Sequence, residues 1–216
     1  MLLLLESFIV ASTVVITLLG VVNGAGVGQV GRGMSGFGWL KAFTNLSNIL
    51  NAAGAAVVLV FAVDNLFSGR DYIPRWAFVF RFVCAAAVGL TFLTVLVFLA
   101  PLQALEGKGY FRFFSGSMFF FHFLNPVLSA VSVIFLIRRF RIGIRERLLA
   151  LVPTFIYSWL YFFMVVVFSA WEDFYGFTFG GRMYLCPVSF ILMYGFTWLI
   201  ALFYAKLHNK KVVAAE

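Results

Sequence analysis

Charge is what this chain has least of. Asp, Glu, Lys and Arg together supply 11% of its 216 residues, whereas 63% are hydrophobic. A water-soluble domain of this size cannot hide so much apolar surface, so soluble architecture is excluded and a polytopic membrane protein is indicated. Acidic residues are the scarcer sign, eight against sixteen Lys and Arg. In a soluble protein a net charge of +8 would suggest nucleic acid. Here the basic residues sit in short loops between apolar segments, where they act as topology signals and no nucleic-acid partner is expected. Cysteine and histidine number two each. Cys84 and Cys186 fall in apolar segments at different depths, beyond disulfide reach, and no Cys/His spacing suits zinc. Neither a metal nor any other cofactor is expected.

The apolar runs divide into six spans at roughly 4–22, 40–63, 76–100, 113–137, 147–169 and 183–205. Each provides the ~20 residues a bilayer requires, and lipid demands a backbone that satisfies its own hydrogen bonds. An all-α bundle follows, a single transmembrane domain over 1–216 with no room for a soluble one. The first span opens Met-Leu-Leu-Leu-Leu-Glu, without the basic segment of a secretory signal, and reads as a retained helix. Eleven Lys and Arg, Arg81 among them, fall on the side carrying both termini and five on the other. The positive-inside rule then places both termini in the cytoplasm. The two three-helix halves share no aligned motif, which weighs against an inverted-repeat transporter.

Several local signals have plain explanations. Gly26-Val27-Gly28-Gln29-Val30-Gly31 matches the dinucleotide fingerprint, but no strand precedes it and no βαβ unit can form, so it reads as a loop. Asn45-Leu46-Ser47 fits the glycosylation pattern yet lies too close to the bilayer. Arg138-Arg139-Phe140-Arg141 serves orientation more simply than headgroup binding. His208 reads as a solvated tail residue. The small residues from Ala52 to Ala56 and from Ala85 to Gly89 suit close helix contact.

His122 stands apart as the histidine inside an apolar span, in the run Phe119-Phe120-Phe121-His122-Phe123. An ionisable group in hydrocarbon is a site hypothesis by default. His122, Asn125, Ser129 and Ser132 share one helical face, and Thr44, Ser47, Asn48 and Asn51 share another at i, i+3, i+4 and i+7. The two stripes are expected to face each other, with Thr44 and His122 both in early turns of spans entering from the extracytoplasmic side. A neutral imidazole beside a hydroxyl makes it a nucleophile by accepting its proton. Asn48, Asn125, Ser47, Asn51 and Tyr157 offer groups to bind substrate or stabilise an oxyanion. Glu172 and Asp173, in a loop on the same side, are possible orienting carboxylates. Thr154, Tyr157, Ser158 and Tyr161 form a third stripe that would complete the cavity wall.

Phe43-Thr44-Asn45-Leu46-Ser47-Asn48 opening the second span, with His122-Phe123-Leu124-Asn125-Pro126 in the fourth, resembles the androgen-induced-gene family of six-helix membrane proteins. Pro153 with Tyr157 echoes the bacterial members. The animal members hydrolyse fatty acid esters of hydroxy fatty acids with an intramembrane threonine and histidine. The resemblance implies Thr44 as nucleophile, His122 as general base, a membrane lipid substrate and a bacterial plasma-membrane location, and the topology puts the site nearer the extracytoplasmic leaflet. The animal proteins do not read Asn-Leu-Ser-Asn after the threonine, and this chain is closer to the bacterial branch. The alternative reading is a transporter or ligand-binding membrane protein whose polar stripes line a path.

Overall fold

The computed structural model describes residues 1–23, 36–137, 140–178 and 180–213. Six helices in it are long and apolar enough to cross a membrane: α1 (Leu2–Val21), α2 (Phe43–Ser68), α3 (Arg75–Leu105), α4 (Ser117–Leu136), α5 (Ile144–Val167) and α6 (Cys186–Val212). No strand occurs among the described residues. The glycine-rich loop and its fingerprint match, together with Arg138 and Arg139, lie outside them. Span ends shift by up to seven residues from the hydropathy reading, because polar residues extend the helices beyond the apolar core. α2 runs on to Ser68 and stops at Gly69, whose φ of 66° closes the helix in the left-handed region. α6 carries its Lys and His residues as further helical turns.

α3 is the axial helix. It packs against α2, α4 and α6, and more of its length is buried than of any other span. Small residues allow this close packing. A Cβ on Gly54 would lie 2.8 Å from Cys84 Sγ, and one on Gly89 would lie 2.8 Å from the Tyr204 hydroxyl. α5 packs mainly on α6, through Thr154–Thr197 (3.1 Å), Ser158–Tyr194 (2.7 Å) and the rings of Trp159, Phe162, Phe190 and Tyr194. Thr154 and Ser158 therefore tie α5 to α6 and do not complete a cavity wall facing α4.

Two prolines loosen the ladder where they fall. Pro126 has no N–H for the carbonyl of His122, four residues back, and the turn Phe120–Leu124 widens to π geometry with Asn125 N–H bonded to the Phe120 carbonyl. Pro101 follows a matching wide turn at Val95–Leu99. His122 thus sits in a turn that departs from the regular helix.

The polar interior is organised by an ion pair. Glu6 of α1 and Arg81 of α3 are both 0% exposed, with Arg81 Nη2 3.0 Å from a Glu6 oxygen and Nε 3.1 Å from both. Arg81 Nη1 donates to Asn51 Oδ1 at 2.7 Å and Nη2 to Ser129 Oγ at 3.3 Å. Ser129 Oγ also donates to Asn51 Oδ1 (2.8 Å), and Ser132 Oγ donates to Glu6. Four helices meet at one charge pair. This corrects one reading. Arg81 is no surface charge, and removing it from the positive-inside count leaves ten against five. Asn51 serves the pair through its carbonyl oxygen, while its buried Nδ2 has no hydrogen-bond partner among the described residues.

His208 also departs from expectation. It is 0% exposed, with ring nitrogens 2.7 Å from the carbonyls of Val133 and Phe140, and it stacks on Phe78. The helical extension of α6 folds this residue back over the end of α4, so it is a packing residue and not a solvated one.

Removing one partner strands the other charge in hydrocarbon. Arg81→Met should cost about 3–5 kcal/mol of stability, and adding Glu6→Leu should restore much of it. Unfolding in mixed micelles measures both, and an unchanged midpoint in the single variant would sink the assignment.

Candidate functional site

The two polar stripes meet. Asn125 Nδ2 donates to Asn48 Oδ1 at 3.3 Å and to Thr13 Oγ1 at 3.2 Å, while its own oxygen accepts from Ser12 at 3.0 Å. One turn deeper, the Asn51–Ser129 contact continues the seam. α1 therefore contributes a polar edge, Glu6, Ser12 and Thr13, to the interface between α2 and α4.

Asn48 joins the two segments that carry the proposed chemistry. Its Nδ2 donates to the Thr44 carbonyl at 2.8 Å and to the Phe121 carbonyl at 3.2 Å. The turn bearing Thr44 and the turn bearing His122 are thus held by a single amide.

His122 is 3% exposed. Its Nδ1 lies 3.0 Å from the carbonyl of Phe113, and the Phe113 ring meets the imidazole edge-on at 5.6 Å. A carbonyl only accepts, so Nδ1 carries the hydrogen and Nε2 is the acceptor of the neutral ring. The orienting group for His122 is thus a backbone carbonyl in the short 3-10 turn Tyr110–Phe114 that precedes α4.

Thr44 is half-buried in the first turn of α2. Its carbonyl accepts from both Ser47 Oγ (3.0 Å) and Asn48 Nδ2. Its hydroxyl lies within hydrogen-bond reach of the Tyr175 hydroxyl. Tyr175 also accepts the Phe43 N–H at 3.0 Å, one of the donors that a helix start leaves without an intrahelical partner. Ser47 is engaged elsewhere, with Thr91 of α3 at 2.9 Å. Tyr157 donates to the Lys41 carbonyl at 2.7 Å and rings with Phe43 at 5.0 Å, so it braces the entry to α2.

Tyr175 arrives on the loop between α5 and α6. Asp173 shapes that loop: its carboxylate accepts the N–H groups of Phe177 and Thr178 (both 2.7 Å), the Thr178 hydroxyl (2.6 Å) and the Tyr161 hydroxyl (3.1 Å). Burial pushes its carboxyl up, and these hydrogen bonds outweigh burial and hold it below the usual carboxylate range. With its oxygens so engaged, Asp173 orients the loop and not His122. Glu172 is exposed. The Tyr175 hydroxyl is pushed above its ordinary value by burial, against hydrogen bonds from Phe43 and Thr44. Lys41 sits over the Trp171 ring at 5.8 Å, a second clasp between loop and helix start.

Tyr175 and the Phe113 carbonyl were not identified from sequence. Tyr175 belongs to an aromatic, acidic loop whose residues carry no periodicity, and a backbone carbonyl leaves no trace in side-chain identity. Among the described residues no group of three or more His, Cys, Asp and Glu side chains is placed to hold a metal. Comparison with family models, with curated proteins and with solved structures returns no match.

The loop's dependence on Asp173 has a definite sign. A carboxyl held low in the folded state contributes stability that is complete above its unfolded value of about 3.9 and drains as pH falls through the lower folded value. Protease resistance of segment 171–182 should persist at about pH 5 and fail only below about pH 4. Asp173→Ala should open the segment at neutral pH, since the Phe177 and Thr178 N–H groups lose their acceptor. Equal resistance in parent and variant would count against this account.

Proposed function

We propose that this chain is an intramembrane lipid hydrolase that cleaves an acyl ester, with Thr44 as nucleophile and His122 as general base. The reading draws on the resemblance to the androgen-induced-gene family, bacterial branch. The observation that carries it furthest is the Asn48 bridge, which ties the Thr44 turn to the His122 turn.

In this mechanism His122 Nε2 takes the proton of the Thr44 hydroxyl as Oγ1 attacks the ester carbonyl carbon. The tetrahedral intermediate collapses, the C–O bond to the alcohol breaks, and the alcohol leaves with the proton from Nε2. Water, deprotonated by the same nitrogen, then attacks the acyl-threonine and releases the acid. The Phe113 carbonyl keeps the imidazole in the tautomer this requires. Tyr175, beside the Thr44 hydroxyl, is a positioning residue. Asn125 spends its amide on Asn48 and on Ser12 and Thr13 of α1, and Asn48 spends its own on backbone carbonyls, which suits support of the two turns better than oxyanion binding. The substrate is a lipid partitioned into the bilayer, in keeping with six apolar helices in an integral membrane protein. With both termini cytoplasmic, as the positive-inside rule implies, Thr44 and His122 would lie toward the extracytoplasmic leaflet of a bacterial plasma membrane.

A solute path has less to recommend it, because the polar groups of α1 to α4 are mostly bonded to one another.

Labelling with a lipophilic serine/threonine-hydrolase probe, followed by peptide mapping, tests the proposal. The adduct is expected on Thr44. Thr44→Ala and His122→Ala should each abolish labelling and ester turnover, and the double variant should be little worse than either single. Ser47→Ala should retain most of both. Labelling that survives Thr44→Ala and disappears in Ser47→Ala would transfer the nucleophile to Ser47. Folded protein inert to a panel of lipid esters would remove the hydrolase reading altogether.

A further inference from the structure

Between α2, α3 and α5 the bundle leaves a groove of about 1030 Å³, open along one side. Its walls are almost wholly apolar, with Leu50 on α2, Val79 and Val83 on α3, and Leu149, Ile156 and Leu160 on α5. The α5 wall runs from Arg145 to Leu160. That is roughly 22 Å of helix at 1.5 Å per residue, so the space is a channel shaped for a chain. Leu149, Ile156 and Leu160 also face outward, 47%, 61% and 43% exposed, so the groove communicates with the surrounding hydrocarbon.

Charge is confined to one end. Arg75, Arg145 and Glu146 close the groove there. Glu146 answers Arg75 at 2.7 Å, whereas Arg145 is exposed and has no ion-pair or hydrogen-bond partner among the described residues. Two guanidinium groups against one carboxylate leave this end cationic. Trp76, 60% exposed beside Arg75, is of the residue type enriched at the headgroup level of a bilayer. At the other end the hydroxyls of Ser47 and Tyr157 are already engaged, with Thr91 and the Lys41 carbonyl.

We propose that this groove binds an anionic phospholipid of the bilayer, one acyl chain along the apolar walls and the phosphodiester at Arg145 and Arg75. A lipid enters from the side that is open, and its phosphate lies at the level where Trp76 and the two arginines stand. The unanswered cation favours a headgroup with net negative charge over a zwitterionic one, whose own cation would crowd Arg145. Neither Thr44 nor His122 lines the groove. Phe43 and Ser47 of the Thr44 turn line its far end, whereas the phosphate would sit at the opposite, charged end, and the occupant braces α5 against the α2–α3 pair.

Native mass spectrometry of the full chain in mild detergent, titrated separately with phosphatidylglycerol, phosphatidylethanolamine and oleate, tests this. Phosphatidylglycerol should be retained in preference to the other two. Arg145→Ala, which disturbs no internal contact, should weaken that retention about fivefold, the effect of one interfacial arginine. Ile156→Trp should block retention by filling the groove without touching a charge. Arg70→Ala, exposed in the α2–α3 loop on the same side, should leave it unchanged, and all three variants should unfold at the parent temperature when no lipid is added. Equal retention of phosphatidylglycerol and phosphatidylethanolamine, indifferent to Arg145→Ala and Ile156→Trp, would mean annular lipid only and overturn the proposal. Preferred retention of oleate would overturn it too, since the occupant would then be a free acid.

Discussion

The Glu6–Arg81 pair is the constraint around which the bundle is arranged. An unpaired charge in hydrocarbon is costly, and a paired one is tolerable only when its remaining donors and acceptors are also satisfied. Asn51, Ser129 and Ser132 meet that demand, and each comes from a helix other than the two bearing charge. The pair therefore fixes the rotation of α1, α2, α3 and α4 about their own axes. Once those rotations are set, Asn48 and Asn125 must face each other one turn away, and the Thr44 and His122 turns follow. Conformational uniqueness in a membrane, where apolar surface alone discriminates poorly between packings, is well served by such a polar lock.

The loop from Trp171 to Arg182 completes what the helices begin. It has no repeating pattern, yet Asp173 gathers four donors and holds Tyr175 over the start of α2. The hydroxyl of Thr44 is therefore shaped from two directions, by its own helix below and by an aromatic loop above.

Six apolar runs were readable because lipid permits little else: length and hydrophobicity determine a helix when backbone polar groups must bond internally. The two stripes were readable for the same reason, since a polar face in hydrocarbon has to meet another. Glu6 and Arg81 escaped notice because each stands near a span end, where a charge is commonplace. The clue was that these two opposite charges occupy similar depths, about one to two turns in from the same side. His208 escaped because hydropathy sees a basic tail, whereas the helix continues and returns the ring to the bundle. The wide turn at His122 follows from Pro126, yet which carbonyl the imidazole would meet depended on a 3-10 turn with no sequence signature.

The packing of Cys84 against Gly54 gives the molecule an internal clock. Neither thiol is bonded to the other, and both are buried, Cys84 on the axial helix and Cys186 at the entrance to α6. A thiol is modified only when its surroundings part, so its rate of alkylation counts openings and not molecules. Cys186 needs only the α6 entrance to fray. Cys84 stays silent until α2 and α3 separate, which also means breaking the Arg81–Asn51 hydrogen bond one turn away. The two sulfurs thereby distinguish breathing at the edge from loss of the centre, with no label added to the chain.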